Sequence, residues 1–280
     1  MIRKTKSFKA LITVVMVCCI VWTNGITAKA QSVSETEPND SMDTAQLIQA
    51  NYETAAQVVN GSRPNQYVVK GNTSNNDEDW YKVYLNAGVQ YITCNDQPFD
   101  YEIYNSNNSL VSSGSYTKSR LFPVGYSFRA ASDGYYYVKI KGLTSASSSY
   151  ILLVGGPTYS VGTCSVSLGS VTMSGKNVTV PADLRYKGTI PEGSVVYGIS
   201  MSGVKSNSVS GITVKNLTSN NTVVLSNYSW NKTGLASMNM PLKGNWQINF
   251  SYNKNTSFTP KLSLLFAYPL ALDYVDNLEF

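Results

Sequence analysis

The sequence of 280 residues contains no histidine, and only 14% of its residues are charged. Without histidine there can be no Ser-His-Asp triad, no Cys-His pair and no zinc site with histidine ligands. Charged residues make up about 25% of a typical globular protein. Ser, Thr, Asn, Gly and 20 Tyr take their place here, and this composition favours strands and turns.

Hydrolase motifs are also absent, since the sequence contains neither H-E-x-x-H nor G-x-S-x-G. Acidic residues are sparse in the second half of the chain: Asp183, Glu192, Asp273, Asp276 and Glu279. A hydrolase that uses two of these carboxylates stays open as an alternative. We expect a protein that is not an enzyme.

The first thirty residues have the pattern of an export signal. Basic residues occupy positions 3–9, an uncharged apolar run extends from Ala10 to Trp22, and Ala28-Lys29-Ala30 follows. This order predicts a secretory signal peptide cleaved after Ala30, and therefore a secreted, extracellular protein. An uncleaved N-terminal anchor is the alternative. No second apolar stretch is long enough to span a membrane.

Removal of this segment changes the charge and the cysteine content. The formal charge of +5 falls to zero, because the segment carries five basic residues and no acid. A neutral chain without a basic run argues against nucleic acid as a partner. Only Cys94 and Cys164 remain. They form either one disulfide or, as we slightly favour, two free buried thiols.

A seam at Gly155-Gly156-Pro157 divides the chain, because this tripeptide ends a strand and begins a linker. Residues 31–156 have a net charge of −4 and residues 157–280 a net charge of +4. We therefore predict two domains, residues 31–156 and 157–280. One continuous β-protein with a long meander is the alternative.

Both halves indicate an all-β fold of two antiparallel β-sandwiches, jelly-roll-like and in tandem. Apolar and polar residues alternate over residues 79–85, 100–104 and 134–141, as in half-buried strands. The only helix we predict is one or two turns around Ser41–Ile48, capped by Asp40 or Ser41. The second half should contain strands at Cys164–Leu168, Asn177–Val180, Ser194–Ser200, Gly211–Leu217, Thr222–Leu225, Trp246–Tyr252 and Lys261–Ala267.

Two oxygen-rich segments are candidates for metal binding. The first spans residues 35–40 and the second residues 75–79, where a strand begins. Calcium takes six to eight oxygen ligands and tolerates irregular geometry, so two such segments that meet could hold it. Oxygen ligands without histidine favour calcium over zinc or copper. The alternative is a solvated acidic tail and a turn.

Several motifs also occur in the order of a known family: Glu35-x-Glu37-Pro38-Asn39-Asp40, Ala45, Asp77-x-Asp79-Trp80-Tyr81, Ala87-Gly88, Asp100 with Ile103-Tyr104, and Gly134-Tyr135-Tyr136-Tyr137-Val138. Residues 35–154 thereby resemble the bacterial pre-peptidase C-terminal domain, whose relatives include the collagen-binding domains of clostridial collagenases. The resemblance implies a β-sandwich commonly appended to secreted proteases. We identify no family for residues 157–280 and expect a second sandwich of carbohydrate-binding or jelly-roll type.

In those collagen-binding relatives, an E-x-E-x-N-D segment and a D-x-x-D-aromatic segment share calcium. The resemblance implies four ligands in the first segment: Glu35, Glu37, Asn39 and Asp40. In the second segment Asp79 matches the later aspartate and Asn76 the earlier one. Asn76 departs from the family because it is neutral, which weakens the expected site. Asp77 is an equally good candidate.

Aromatic residues on polar-facing strand positions are the second candidate site: Trp80, Tyr84, Tyr104, Tyr135 and Tyr137. Tyr and Trp are enriched in binding hot spots. Such a sheet face could engage an extracellular polymer, either a fibrous protein or a glycan. Alternatively, these rings pack against the N-terminal segment or the second domain, or the protein is a structural module of the cell envelope.

Overall fold

The computed structural model describes residues 30–61, 63–94, 98–117, 124–186, 190–225 and 230–271. Residues 1–29 of the predicted signal peptide and the acidic residues Asp273, Asp276 and Glu279 lie outside these ranges. Within them, no helix has the length and apolar character needed to cross a membrane.

The described chain forms two compact domains. The N-terminal domain comprises residues 30–160 and 269–271, and the C-terminal domain comprises Val161–Tyr268. The division thus falls a few residues after Gly155-Gly156-Pro157. The return of the chain after Tyr268 was not predicted. There, the Leu270 N–H donates to the Thr158 carbonyl at 2.8 Å, and Ala271 forms a parallel bridge with Gly125.

In its described part the N-terminal domain contains ten strands in two five-stranded sheets. The strands are β1 (Gln31–Ser34), β2 (Gln46–Ile48), β3 (Tyr67–Thr73), β4 (Glu78–Leu85), β5 (Gly88–Cys94), β6 (Phe99–Asn105), β7 (Leu110–Tyr116), β8 (Val124–Ala130), β9 (Gly134–Gly142) and β10 (Ser148–Gly155). The first sheet has the order β1-β3-β10-β5-β8 and the second the order β2-β4-β9-β6-β7. All neighbours are antiparallel except β1 with β3 and β2 with β4.

Alternation along β4 and β9 sorts their side chains between the core and the outer face, as predicted. Tyr81, Val83 and Leu85 of β4 are completely buried, whereas the side chains between them face outward. The buried residues of β9 alternate in the same way. Because one residue of shift would reverse every side chain, this pattern fixes the register of the second sheet.

The predicted helix around Ser41–Ile48 is wrong for most of its length. A 3-10 helix covers only Met42–Thr44, with Ser41 as its cap, and Gln46–Ile48 form β2. Pairing with β4 and the burial of Ile48 beside exposed Leu47 favour a strand there. A helix that the sequence analysis missed, α1 (Ala55–Val59), begins with a capping box.

In its described part the C-terminal domain contains β11 (Tyr159–Ser167), β12 (Val171–Met173), β13 (Val178–Asp183), β14 (Val195–Ser202), β15 (Val209–Asn216), β16 (Thr222–Leu225), β17 (Asn231–Lys232), a 3-10 helix (Ala236–Met238), β18 (Met240–Pro241), β19 (Asn245–Tyr252), β20 (Thr256–Phe258) and β21 (Lys261–Pro269). Each predicted strand overlaps one of them. They form sheets with the orders β11-β21-β14-β17, β12-β20 and β13-β19-β15-β16, and β18 joins β14. Trp246, Ile248 and Phe250 of β19 are completely or almost completely buried. The all-β sandwich prediction is confirmed.

The cysteines of the described chain, Cys94 and Cys164, are both buried and form no disulfide. This agrees with the preferred expectation of two thiols. Burial raises the pKa of the Cys94 thiol far above its usual value, so this group remains protonated.

Candidate metal centre

The acidic segment after β1 is fixed by backbone contacts to the two sheets. The Glu35 N–H donates to the Lys70 carbonyl at 2.8 Å and thereby extends the pairing with β3. The Trp80 N–H donates to the Asn39 carbonyl at 2.9 Å, which attaches the same segment to β4. The peptide bond between Glu37 and Pro38 is cis. Both oxygen-rich segments of the sequence therefore meet at one end of the sandwich.

Three carboxylates converge there: one oxygen from each of Glu35, Glu37 and Asp79 lies within 4.8 Å of the others. We call these three residues the metal centre. Asp79 is completely buried, Glu35 is half-buried and Glu37 is exposed. The centre is thus closed on the Asp79 side and reachable from solvent on the Glu37 side.

Asp79 is the least satisfied of the three carboxylates. Neither of its carboxylate oxygens accepts a hydrogen bond of regular geometry among the described residues, although the Tyr150 hydroxyl lies near enough to lower the pKa of Asp79. Burial, together with the nearby Glu35 carboxylate, raises the pKa of Asp79 to about 8. A buried carboxylate without a partner is expensive, and proteins normally pair such a group or give it a metal ion.

Glu35 is held from several sides by donors. Tyr81 Oη and Tyr150 Oη donate to Glu35 Oε1 at 2.8 and 3.0 Å, and the Asn72 N–H donates to Oε2 at 2.9 Å. The two tyrosine hydroxyls also lie within hydrogen-bond distance of each other, so their two protons are shared among three contacts. Tyr150 fits because Gly71 faces it, since a Cβ at Gly71 would lie 2.5 Å from the Tyr150 ring. Donors of this kind orient a metal ligand.

Asn39 is completely buried beside the centre. Its N–H donates to Glu37 Oε2 at 2.9 Å, and Nδ2 donates to Glu35 Oε1 at 3.5 Å. Exchanging the amide oxygen and nitrogen would instead give donated bonds of 2.8 and 3.2 Å to the two Glu37 oxygens. In that orientation both ends of the Asn39 amide are satisfied by protein groups, and Asn39 positions the Glu37 carboxylate.

The remaining predicted ligands lie at different distances from this centre. Burial raises the pKa of Glu37, and the nearby charges of Asp77 and Asp40 raise it further. Burial also raises the pKa of Asp77, with additional contributions from Glu35 and Asp40. Asn76 is exposed, and its described contact is a backbone N–H donated to Ser74 Oγ at 3.4 Å. Asp77 therefore acts electrostatically on the carboxylates, and neither Asp77 nor Asn76 belongs to the three that converge within 4.8 Å.

These residues fit calcium. The donors are all oxygens, they come from two chain segments, and one buried carboxylate accepts no hydrogen bond of regular geometry in the described chain. Glu35, Glu37 and Asp79 would hold the ion, Asn39 donates to Glu37, and the charges of Asp40 and Asp77 act on the same carboxylates. Bound there, the ion would supply the positive charge that this end of the sandwich lacks.

The predicted aromatic residues all lie on the outer face of the second sheet, and we call these five the aromatic face: Trp80, Tyr84, Tyr104, Tyr135 and Tyr137. The Trp80 and Tyr104 rings stack with their centroids 5.6 Å apart. The Tyr84 and Tyr135 rings meet edge to face at 5.4 Å, and 48% and 43% of these two residues are exposed. The other three residues are half-buried.

Two features of this surface were not predicted. Lys82 Nζ lies over the rings of Tyr135 and Tyr137, at 4.6 and 5.5 Å from their centroids. Exposed leucines flank the rings, because Leu47 pairs with Lys82 and Leu110 pairs with Tyr104. The register of the strands determines which side chains flank the rings, and composition alone does not predict it.

Acidic residues of the C-terminal domain show no such convergence. Asp183 accepts two hydrogen bonds from the Arg185 side chain, and Glu192 pairs with Lys243. The two carboxylates that the structure describes in this domain are thus paired at the surface. They give no support to the alternative of a hydrolase.

No family model and no curated protein matches the chain. A solved structure of a candidate secreted protein from Eubacterium rectale is similar over 95% of this chain and 94% of its own, with 11% identity and a TM-score of 0.50. The pre-peptidase C-terminal domain of a Bacillus anthracis collagenase aligns with 43% of this chain and 99% of its own, at 16% identity and a TM-score of 0.29. The chain is similar in fold to a β-rich protein of its own length.

Proposed function

We propose that this protein is a secreted, non-catalytic binding protein. Calcium at the metal centre stabilises its N-terminal domain, and the aromatic face engages an extracellular polymer, a matrix protein or a glycan. The single observation that supports the proposal most strongly is Asp79. It is completely buried, converges with Glu35 and Glu37, and accepts no hydrogen bond of regular geometry in the described chain.

Sequence features support the extracellular part of the proposal. The first thirty residues have the order of a signal peptide. The motif order of the pre-peptidase C-terminal family and the likeness in fold to a candidate secreted protein agree with a secreted module. Calcium stabilisation suits such a location, because extracellular modules work with sites of only 10⁻⁴–10⁻³ M affinity.

The aromatic face supports the binding part. Two rings of this face are more than two-fifths exposed, and Lys82 holds the Tyr135 and Tyr137 rings in place. Rings that are already held lose little conformational freedom when a partner arrives, which favours binding. One row of paired positions crosses all five strands of the second sheet: Leu47, Lys82, Tyr137, Tyr104 and Leu110.

Calorimetry with calcium, together with thermal melts, tests the metal centre. Calcium at 100 times its dissociation constant should stabilise the wild type by about 2.7 kcal/mol. The double variant Glu35→Ala/Glu37→Ala should lose both the calorimetric signal and the stabilisation. Asp183→Ala/Glu192→Ala, the matched control in the C-terminal domain, should keep both. An unchanged wild-type melt would show that the assignment of the centre is wrong.

Pull-downs with fibrillar collagen, peptidoglycan and insoluble polysaccharides test the aromatic face. The triple variant Trp80→Ala/Tyr135→Ala/Tyr137→Ala should lose the binding that the wild type shows. Tyr186→Ala, which removes an 85% exposed ring of the C-terminal domain, is the control. Polymer binding that survives the triple variant would exclude the aromatic face as the binding site.

A further inference from the structure

The chain end that cleavage after Ala30 would create lies close in sequence to the metal centre. Gln31 would become the first residue of the mature protein, and it is also the first residue of β1. Glu35, the first residue of the centre, follows directly after β1. Residues 31–34 are all exposed, and β1 lies at the edge of its sheet with β3 as its neighbour. A short exposed edge strand therefore separates the centre from this terminus.

A glutamine at a chain terminus can react with its own side chain. The unprotonated α-amino nitrogen attacks the side-chain carbon Cδ, so that a bond from this nitrogen to Cδ forms while the bond from Cδ to Nε2 breaks. Nε2 takes up the proton that the amine gives up and leaves as ammonia. The product is a lactam, pyroglutamate, and no oxidant, reductant or co-reactant is needed. Because an α-amino group has a pKa of about 7.7–8.0, part of it is unprotonated near neutral pH.

The surroundings of Gln31 allow its side chain to turn back toward its own nitrogen. Its Nε2 donates to the Pro64 carbonyl at 3.5 Å and to Tyr67 Oη at 3.4 Å, and both contacts are exposed. Hydrogen bonds of this length in contact with water contribute little, so their loss costs little. The Gln31 nitrogen donates to the Gln66 carbonyl at 2.9 Å, which holds the chain end against the segment before β3. The reacting atoms therefore lie at the surface and not in the core.

The lactam lacks the α-amino group that an aminopeptidase requires. Such an enzyme removes one residue at a time from a chain end, and an exposed terminus with few contacts is a preferred site of proteolysis. Trimming through β1 would reach Glu35, which accepts hydrogen bonds from Tyr81 and Tyr150. Its loss would leave Glu37 and Asp79 as the remaining carboxylates of the centre. A closed terminus would therefore preserve the metal centre outside the cell.

We propose that Gln31 is converted to a lactam in the secreted protein, and that this modification protects the metal centre from aminopeptidases. The inference rests on the proposed function, because it needs export and cleavage after Ala30. It adds a covalent modification at the end of β1, whereas the proposed function concerns calcium and the aromatic face.

Mass spectrometry of the full chain, expressed with residues 1–30 in a bacterial host that secretes it, tests the modification. We expect an N-terminal peptide that begins at residue 31 and is lighter than the unmodified peptide by the mass of one ammonia. Gln31→Ser should give a peptide of unmodified mass. Gln247→Ser, the control at an exposed glutamine within β19, should keep the lactam at residue 31.

Aminopeptidase digestion followed by calcium calorimetry tests the protection. The wild type should keep its calcium titration after digestion. Gln31→Ser should lose the titration, because digestion then removes Glu35. Wild type from which pyroglutamyl aminopeptidase has first removed the lactam should lose it as well, and this second sample does not depend on export of a variant.

Each contrary outcome overturns a different statement. A mature chain that begins at another residue would show that the cleavage assignment is wrong. A chain that begins at Gln31 with its full mass would refute the lactam. If the undigested wild type does not bind calcium, the metal centre of the proposed function is wrong. If it binds calcium but loses the titration on digestion, or if the uncapped samples keep theirs, the protection is refuted.

Discussion

The two domains are both built from β-sheets, but their carboxylates differ in burial and in pairing. In the C-terminal domain the two described acids, Asp183 and Glu192, are exposed and each pairs with a basic residue. In the N-terminal domain three carboxylates converge, and the buried one accepts no hydrogen bond of regular geometry in the described chain. Exposed pairs contribute about 0–1 kcal/mol, whereas a buried unpaired charge costs several. Ion dependence should therefore be concentrated in one domain.

Removal of calcium gives the largest effect and tests this difference directly. We expect chelator to speed hydrogen exchange in N-terminal peptides by an amount equivalent to about 2.7 kcal/mol, relative to calcium at 100 times its dissociation constant. Peptides from the C-terminal domain should exchange at the same rate in both conditions. Hydrogen exchange with mass spectrometry measures the two domains in one sample. Equal changes in both would contradict a local ion site.

Asp79→Asn should have opposite effects with and without calcium. In chelator the variant should be more stable than the wild type by about 2–3 kcal/mol, because it removes a buried carboxylate that accepts no regular hydrogen bond. In calcium it should lose most of the stabilisation that the ion gives. Denaturant titrations in both conditions measure this reversal. If the variant were destabilised equally in both, Asp79 would have a purely structural role.

Leu270→Ala tests whether the returning segment belongs to the N-terminal domain. Leu270 is only 8% exposed, and its N–H is bonded to Thr158. Truncation should cost about 2 kcal/mol and speed exchange in N-terminal peptides. Leu217→Ala, at a 47% exposed position of the C-terminal domain, is the control and should change little. Faster exchange only in C-terminal peptides would contradict the assignment.

Asp183→Asn should give the smallest effect. Hydrogen bonds from Arg185 lower the pKa of Asp183 from 3.8 to about 2. The ionised group therefore stabilises the fold above its unfolded pKa, and this contribution is lost as the pH falls from about 4 to 2. The difference in denaturation midpoint between wild type and variant should be small at pH 6 and vanish near pH 2. A difference that grows in acid would have the wrong sign.

Patterns of period two predicted most of the strands, because burial on one face constrains every second residue. Tyr81, Val83 and Leu85 are buried as the pattern requires. The helix predicted over Gln46–Ile48 is a strand for a physical reason. Three residues are too few to show an alternation of apolar and polar side chains, and their pairing with β4 makes them a strand. The missed helix α1 left a readable signal, the Thr54-x-x-Gln57 capping box.

The candidate site was only partly readable from the sequence. Residue type indicated two oxygen-rich segments, residues 35–40 and 75–79, because calcium prefers oxygen ligands. The family resemblance implied Glu35, Glu37, Asn39 and Asp40 in the first, and Asp79 with Asn76 or Asp77 in the second. Which members of the second segment lie closest depends on how the turn before β4 folds, and this brings Asp77 near while Asn76 stays exposed. Tyr81 and Tyr150 donate to Glu35 from positions that alternation identifies only as core. Such contacts between distant segments appear only in the folded chain.

The return of the chain after Tyr268 makes the C-terminal domain an insertion within the N-terminal one. The chain leaves the N-terminal domain after Ser160 and re-enters it at Pro269, so two covalent crossings join the domains. A single proteolytic cut at Gly155-Gly156-Pro157 would leave the second crossing intact. After such a cut, the C-terminal fragment would still carry the residues from Pro269 onward that belong to the N-terminal domain.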